Sequence, residues 1–150
     1  MRILIVSQYF WPENFRINDI AENLVSEGHE VDVLTSTPNY PEGQLYSAFK
    51  KNPQDFQIYK GAKIFRVPVR LRKKSTKIEL FLNYLTFILS SILVGSFKLR
   101  KREYDIIFTF ATSPITVALP SIFFSRLKKA KHILWVLDLW PDILKELKII

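Results

Sequence analysis

The sequence predicts an α/β domain: a Rossmann-like parallel sheet with helices on both faces. Three observations lead there. Short apolar runs of strand length alternate along the chain with segments whose apolar residues recur at helical spacing. The strand-like runs are continuous rather than alternating, as in parallel strands covered on both faces. The length, 150 residues, suits one domain with a real core, since a chain this size removes roughly 70% of its unfolded surface on folding.

The elements follow in order. Arg2 to Val6 is a β-branched apolar run, a strand rather than a signal peptide, because polar residues and Pro12 follow it instead of a small-residue cleavage site. After a loop over Ser7–Asn14, the residues Ile17, Ile20, Ala21, Leu24 and Val25 recur at helical spacing. Arg16, Asp19, Glu22, Asn23 and Ser26 oppose them, and Gly28 stands where a C-terminal cap belongs. Val31 to Thr35 is a second strand, and a crossover of this length implies a parallel, right-handed connection. Pro38 to Pro53 reads as a long surface loop. Gln57–Tyr59 and Lys63–Val67 flank Lys60-Gly61-Ala62 as two short strands of a hairpin. Asp105 to Phe110 is a strand, Ser113-Pro114 opens a helix that ends near Lys128 and Lys129, and Pro120 predicts a kink in it. His132 to Leu137 is a further apolar strand with Trp135 in its core, and residues 142–150 begin another helix. The alternation is expected to continue into a second half that these residues do not include.

Composition removes several functions. There is no cysteine, so disulfides, thiolate metal sites and thiol catalysis are excluded. None of the four glycines builds a Gly-x-Gly-x-x-Gly turn or a phosphate loop ending in Lys-Ser/Thr, which leaves NAD binding and P-loop hydrolysis unsupported. The net charge of +8 is concentrated: from Lys60 to Arg102 twelve Lys/Arg stand against Glu79 alone. Such asymmetry points to an anionic partner, whether a membrane surface, a phosphorylated substrate or nucleic acid.

In an open parallel sheet, ligands bind at the carboxyl ends of the strands. The loops there hold Tyr9-Phe10-Trp11-Pro12-Glu13, Thr37-Pro38-Asn39-Tyr40-Pro41 and Asp138-Leu139-Trp140-Pro141-Asp142, with Gly28-His29-Glu30-Val31 between the first two. In this order and spacing they resemble, over essentially the whole chain, the N-terminal domain of retaining GT-B glycosyltransferases. The likeness is to bacterial family 4-type enzymes of colanic-acid and O-antigen assembly, of the WbuB type. The resemblance implies an acceptor-side domain, with a nucleotide sugar held by a second Rossmann-like domain or chain whose paired glutamates are absent here. It also implies a polyprenyl-diphosphate-linked sugar acceptor, no metal ion and no cofactor beyond the nucleotide sugar. Hexosyl or N-acetylhexosaminyl transfer would occur at the inner face of the cytoplasmic membrane, and residues 1–150 alone would not turn over.

Asp138 is the candidate catalytic residue, polarising an acceptor hydroxyl or steadying an oxocarbenium-like transition state; the competing reading is a cap for the helix at Pro141. The candidate substrate-binding residues are Trp11, Glu13, Asn14, Arg16, Asn39, Tyr40, Trp140 and Asp142. Glu13 and Asn14 open the first helix, where amides could meet a diphosphate. This chain has no glycine in that loop, which many relatives do. Arg16 is the nearby cation and is equally an ordinary exposed arginine. Asp142 reads equally as a residue favouring the helix dipole, and His29 as the end of the first helix. Trp11 and Trp140 are the rings placed for stacking on a sugar.

Ile78 to Phe97 has one charge, Glu79, in 20 residues, long enough to cross a bilayer. Glu79, Asn83, Thr86 and Ser90 form a narrow polar stripe, which argues for a helix covering the sheet; an interfacial helix dipping into lipid is the rival. Its basic flanks, Arg70, Arg72, Lys73, Lys74 and Lys77 before it and Lys98, Arg100, Lys101 and Arg102 after it, are the candidate membrane contacts. A nucleic-acid-binding module is the alternative from another class, disfavoured because the cations flank an apolar helix instead of interleaving with exposed aromatics. A partner subunit for a separate donor-binding chain is the third.

Overall fold

A computed structural model describes residues 1–72, 76–112 and 114–137. Six strands form one sheet: β1 (Arg2–Val6), β2 (Glu30–Ser36), β3 (Ile58–Tyr59), β4 (Ala62–Val67), β5 (Ile106–Ala111) and β6 (Lys131–Val136). Their spatial order is β3-β4-β2-β1-β5-β6, parallel throughout except for β3, which runs antiparallel to β4. The predicted hairpin is that β3–β4 pair. Its two-residue turn needs positive φ at both positions, which Lys60 (48°) and Gly61 (92°) supply.

Successive residues of β1 point to opposite faces and seed two cores. Ile3 and Ile5 join Val31, Val33 and Phe110 beneath α1 (Arg16–Ser26), whose Ile17 and Ala21 are fully buried. Leu4 and Val6 join Leu34, Phe87, Leu99, Ile107 and Phe124 on the other face. The predicted two-sided arrangement is therefore present.

Between Pro38 and Pro53 the loop contains a helical turn, α2 (Ser47–Lys51), which buries Phe49 and is followed by a 3-10 turn at Pro53–Phe56. The second core is covered by a helical stretch in three parts: α3 (Lys77–Ser90), a π turn (Ser91–Gly95) and α4 (Ser96–Lys98). Gly95 lies where a Cβ would stand 3.2 Å from the side chains of both Leu34 on β2 and Phe124, a tight approach that a larger residue would have to push apart. Beside it runs α5 (Ala118–Lys128), preceded by a 3-10 turn at Ile115–Val117.

Two expectations are corrected here. Pro120 does not kink a helix, because α5 starts at Ala118 and the proline falls in its first turn, where a missing N–H costs no helical bond. Trp135 is not core: it is 43% exposed, touching Phe108 and Phe110 edge-on on the outermost strand, where no described element covers that face. Ser113 and residues 138–150 lie outside the described residues.

Candidate functional site

The loops after β1 and β2 meet at the carboxyl end of the sheet, and Glu13 joins them. Its carboxylate is 1% exposed. Oε1 accepts from the amides of Asn39 (2.8 Å) and Tyr40 (2.7 Å), and Oε2 from the amide of Phe10 (3.2 Å). Arg66, on β4, faces the same knot, donating to the carbonyls of Ser36 (2.8 Å) and Trp11, with Phe49 below its guanidinium at 5.2 Å. Burial raises the Glu13 pKa above the usual carboxylate range even though three amides favour the anion. Burial also lowers that of Arg66 to about 10, against the pull of Glu13. A second brace comes from α1: Asn18 accepts from the Trp11 amide (3.1 Å) and donates to the Glu13 carbonyl (2.7 Å). Pro12 and Pro41, one in each loop, both follow cis peptide bonds.

Aromatic rings floor this end. Tyr9 stacks on Phe15 with centroids 5.4 Å apart, Tyr40 packs against both, and Trp11 lies against Phe56 and Tyr59. Burial pushes the Tyr9 hydroxyl well above the ordinary phenol range, so it stays protonated at neutral pH. Tyr40 is 41% exposed and lines a cavity of about 330 Å³ together with Asn39, Pro41, Leu45 and Tyr46.

The sequence-predicted site residues therefore divide. Tyr40 is 41% exposed, Trp11 is half-buried against Phe56 and Tyr59, and Asn14 and Arg16 sit exposed on the rim. Glu13 and Asn39 are buried: the Glu13 carboxylate, expected at a diphosphate, is occupied by the protein's own amides, and Asn39 Nδ2 bonds the Thr37 carbonyl at 2.7 Å. Their place here is to fix the loops. Asp138, Trp140 and Asp142 lie outside the described residues, as do Lys73 and Lys74. Sequence reasoning missed Asn18 and Arg66, whose one available signal was a polar residue on an otherwise apolar helix face or strand.

The other predicted contacts flank the helical stretch from Lys77. Arg70 lies against α3, its amide donating to Thr86 Oγ1 (3.0 Å), its carbonyl accepting from Asn83 Nδ2 (2.7 Å) and its guanidinium 3.5 Å from Glu79. Arg72 donates to the Pro41 carbonyl at 3.0 Å. Lys77, Lys98, Arg100 and Lys101 are exposed, Arg100 over the Phe97 ring at 4.5 Å. Arg102 is the exception: it pairs with Glu30 (3.1 Å) and the buried Asp32 (3.6 Å) at the opposite end of the sheet, so its charge serves the fold.

The helix itself is oriented against the usual rule. Asn83 is fully buried, accepting from Gln8 Nε2 at 2.7 Å, whereas Ile78, Phe81, Leu89, Leu93 and Phe97 are 50–72% exposed. Lys77–Lys98 is long and apolar enough to cross a membrane, with 22% of its apolar window buried. On α5, Leu119, Phe123 and Leu127, after Ile115, extend the outward apolar surface, and a groove of about 620 Å³ runs between the two helices.

With this geometry in place, comparisons with known proteins speak to the fold. The α/β fold is similar to that of glycosyltransferase domains of known structure. The glycotransferase of kitacinnamycin superposes with a TM-score of 0.60 at 14% identity, over 99% of this chain and 33% of that one. The calicheamicin glycosyltransferase CalG4 gives 0.62 at 10% identity, over 98% and 37%. The C-terminal domain of the PF1911 hydrogenase from Pyrococcus furiosus also superposes, at 0.55 and 12% identity, so these likenesses speak for the fold. No protein-family model matches the chain. In sequence the chain is similar to the putative colanic acid biosynthesis glycosyl transferase WcaI of Escherichia coli K12, 30% identical over 98 residues. That match takes in 61% of this chain and 23% of the relative, so the chain spans about a quarter of its length.

Proposed function

We propose that the chain is the acceptor-side domain of a glycosyltransferase that moves a sugar from a nucleotide diphosphate to a polyprenyl-diphosphate-linked acceptor. The setting is bacterial surface-polysaccharide or O-antigen assembly at the inner face of the cytoplasmic membrane. The observation that carries the reading is the outward apolar face of α3 beside a braced loop site on a glycosyltransferase fold. A water-soluble acceptor gives no reason to expose Phe81, Leu89 and Leu93 next to that site, whereas a lipid-borne one does. The colanic acid relative adds support. In this reading Tyr40 and Trp11 hold the acceptor sugar, Arg16 and Asn14 stand towards the donor phosphates, and Asp138 assists the acceptor hydroxyl. The nucleotide sugar is bound mainly by a separate domain or partner chain, without metal or resident cofactor.

Flotation with anionic liposomes, set against binding to a single-stranded oligonucleotide, tests the membrane part. The protein is expected to float with vesicles containing anionic lipid and to bind the oligonucleotide weakly. Tight oligonucleotide binding without flotation would overturn the reading in favour of a nucleic-acid-binding module.

A further inference from the structure

The loop after β2 folds back on itself before α2. The Gly43 amide donates to the Asn39 carbonyl (2.6 Å) and the Tyr46 amide to the Pro38 carbonyl (3.2 Å). The Tyr46 hydroxyl donates to the Tyr40 carbonyl (2.7 Å), and the Asn39 and Tyr40 amides are tied to Glu13. Glycine suits this turn, because Gly43 has φ 73° and a Cβ there would stand 2.8 Å from the Arg72 backbone oxygen. The cavity of about 330 Å³ beside Tyr40 is walled wholly by residues 39–47, so its shape is set before any ligand arrives.

Its charge sets it apart from the rest of the molecule. The chain carries a net +8, yet the one charged residue in this wall is Glu42, and among the described residues no cation pairs with it. The Tyr46 hydroxyl feels the same sign: burial raises its pKa above the ordinary phenol value, and the carboxylates of Glu13 and Glu42 push it in the same direction. Gln44, Tyr46 and Ser47 add polar groups without charge. Across Gln44 and Leu45, which line both spaces, the sign reverses into a cleft bordered by Lys50, Arg70 and Arg72.

A carboxylate, an amide, hydroxyls and an aromatic residue in one small wall match a ring rich in hydroxyls. The carboxylate can accept from two neighbouring hydroxyls, and the apolar face of such a ring lies well on an aromatic side chain. The volume is at the small end for ligand cavities, which suits a single ring better than a chain of them. We infer that this cavity selects an uncharged sugar as the terminal ring of the acceptor, with Tyr40 against the ring and Glu42 accepting from its hydroxyls while turning away acidic sugars. The inference rests on the glycosyl-acceptor reading above and adds to it the charge of the sugar and the residue that decides it.

Methyl glucoside and methyl glucuronide differ only in a hydroxymethyl group against a carboxylate, as do methyl galactoside and methyl galacturonide. These two matched pairs are the probes, titrated by saturation-transfer NMR. The neutral member of at least one pair is expected to bind with roughly millimolar affinity, as a single ring allows. Its acidic partner should bind about threefold to fivefold more weakly, since an exposed carboxylate repels only modestly through water. Glu42→Gln, an exposed change that leaves packing alone, should remove most of that preference while keeping the neutral sugar bound, and Tyr40→Ala should weaken the neutral sugar about tenfold. An acidic member bound as tightly as its neutral partner, or a preference unchanged in Glu42→Gln, would overturn the inference. If Tyr40→Ala, with native circular dichroism, then abolishes binding of both members, the acceptor reading survives and only the charge rule falls. Protein that binds neither pair yet floats with anionic vesicles discards the cavity and leaves the membrane reading standing.

Discussion

Two helices cover the two faces of this sheet, and they obey opposite rules. The first, α1, buries Ile17 and Ala21 and turns Arg16, Asp19 and Asn23 to solvent. The other, α3, buries Asn83 with Phe87 and turns Ile78, Phe81 and Leu89 outward. Both rest on similar apolar sheet surfaces, so the sheet does not impose the difference. On the proposed reading what separates them is the environment beyond: water for α1, and a lipid surface for α3. The comparison teaches that a narrow polar stripe on an apolar helix can be its protein-facing side.

The sharpest way to break this comparison is to alter one residue on each side of the helical stretch that α3 begins. Phe87→Ala should cost about 3–5 kcal/mol in urea denaturation, because the ring is fully buried between helix and sheet. Leu93→Asn, on the outward side, should shift stability by no more than about 0.5 kcal/mol yet reduce liposome flotation. Equal destabilisation by both would mean that the outward face is packed in the native protein.

Each helix also buries one asparagine that reaches the site end of the sheet: Asn18 holds the loop after β1, and Asn83 joins Gln8 to the Arg70 carbonyl. Asn18→Leu or Asn83→Leu should each cost about 1–3 kcal/mol, since the partners stay buried and unpaired. An Asn83→Leu variant as stable as the parent would show that α3 is held by its apolar contacts alone.

The smallest effect is electrostatic. Burial raises the Glu13 pKa in the folded protein above its ordinary 4.5. The folded state then binds more protons than the unfolded one just above that pH, so stability falls as pH rises from about 4.5 through the raised value. Glu13→Gln should flatten this part of the profile when denaturation midpoints are followed from pH 4 to 8. An identical slope in the variant would assign the effect to another group, such as Asp32, whose pKa is raised in the same direction.

Most of the architecture was legible in the sequence because parallel strands and amphipathic crossovers write simple periods into the chain. The strands at Arg2–Val6, Val31–Thr35 and Lys63–Val67 and the hairpin at Lys60-Gly61 are examples. The period alone could not say which side of α3 faces in, because a narrow polar stripe fits an inward or an outward placement, and only the partners of Asn83 decide. The site was legible as loops and less so as roles. Glu13 looked like a ligand-facing carboxylate since its neighbours in sequence are a helix start and a tryptophan. Its amide partners at Phe10, Asn39 and Tyr40 come partly from another loop that no local pattern announces. Trp135 misled for a related reason: an apolar strand reads as buried whether or not another element covers it.

The π turn at Ser91–Gly95 has a consequence for the phase of the long helix. Asn83, Phe87, Ser91, Gly95 and Leu99 are all buried, a spacing of four throughout. In an α-helix with 3.6 residues per turn such a row drifts by roughly 40° at each step and would leave the sheet after three or four steps. The wider winding of a π turn rotates the chain back and returns Gly95 and Leu99 to the line that Asn83 and Phe87 began. The same correction keeps Leu89, Leu93 and Phe97 in one outward row. One extra residue in the right turn thus allows a straight row of contacts on the sheet and a straight apolar row on the surface to coexist along a single helix.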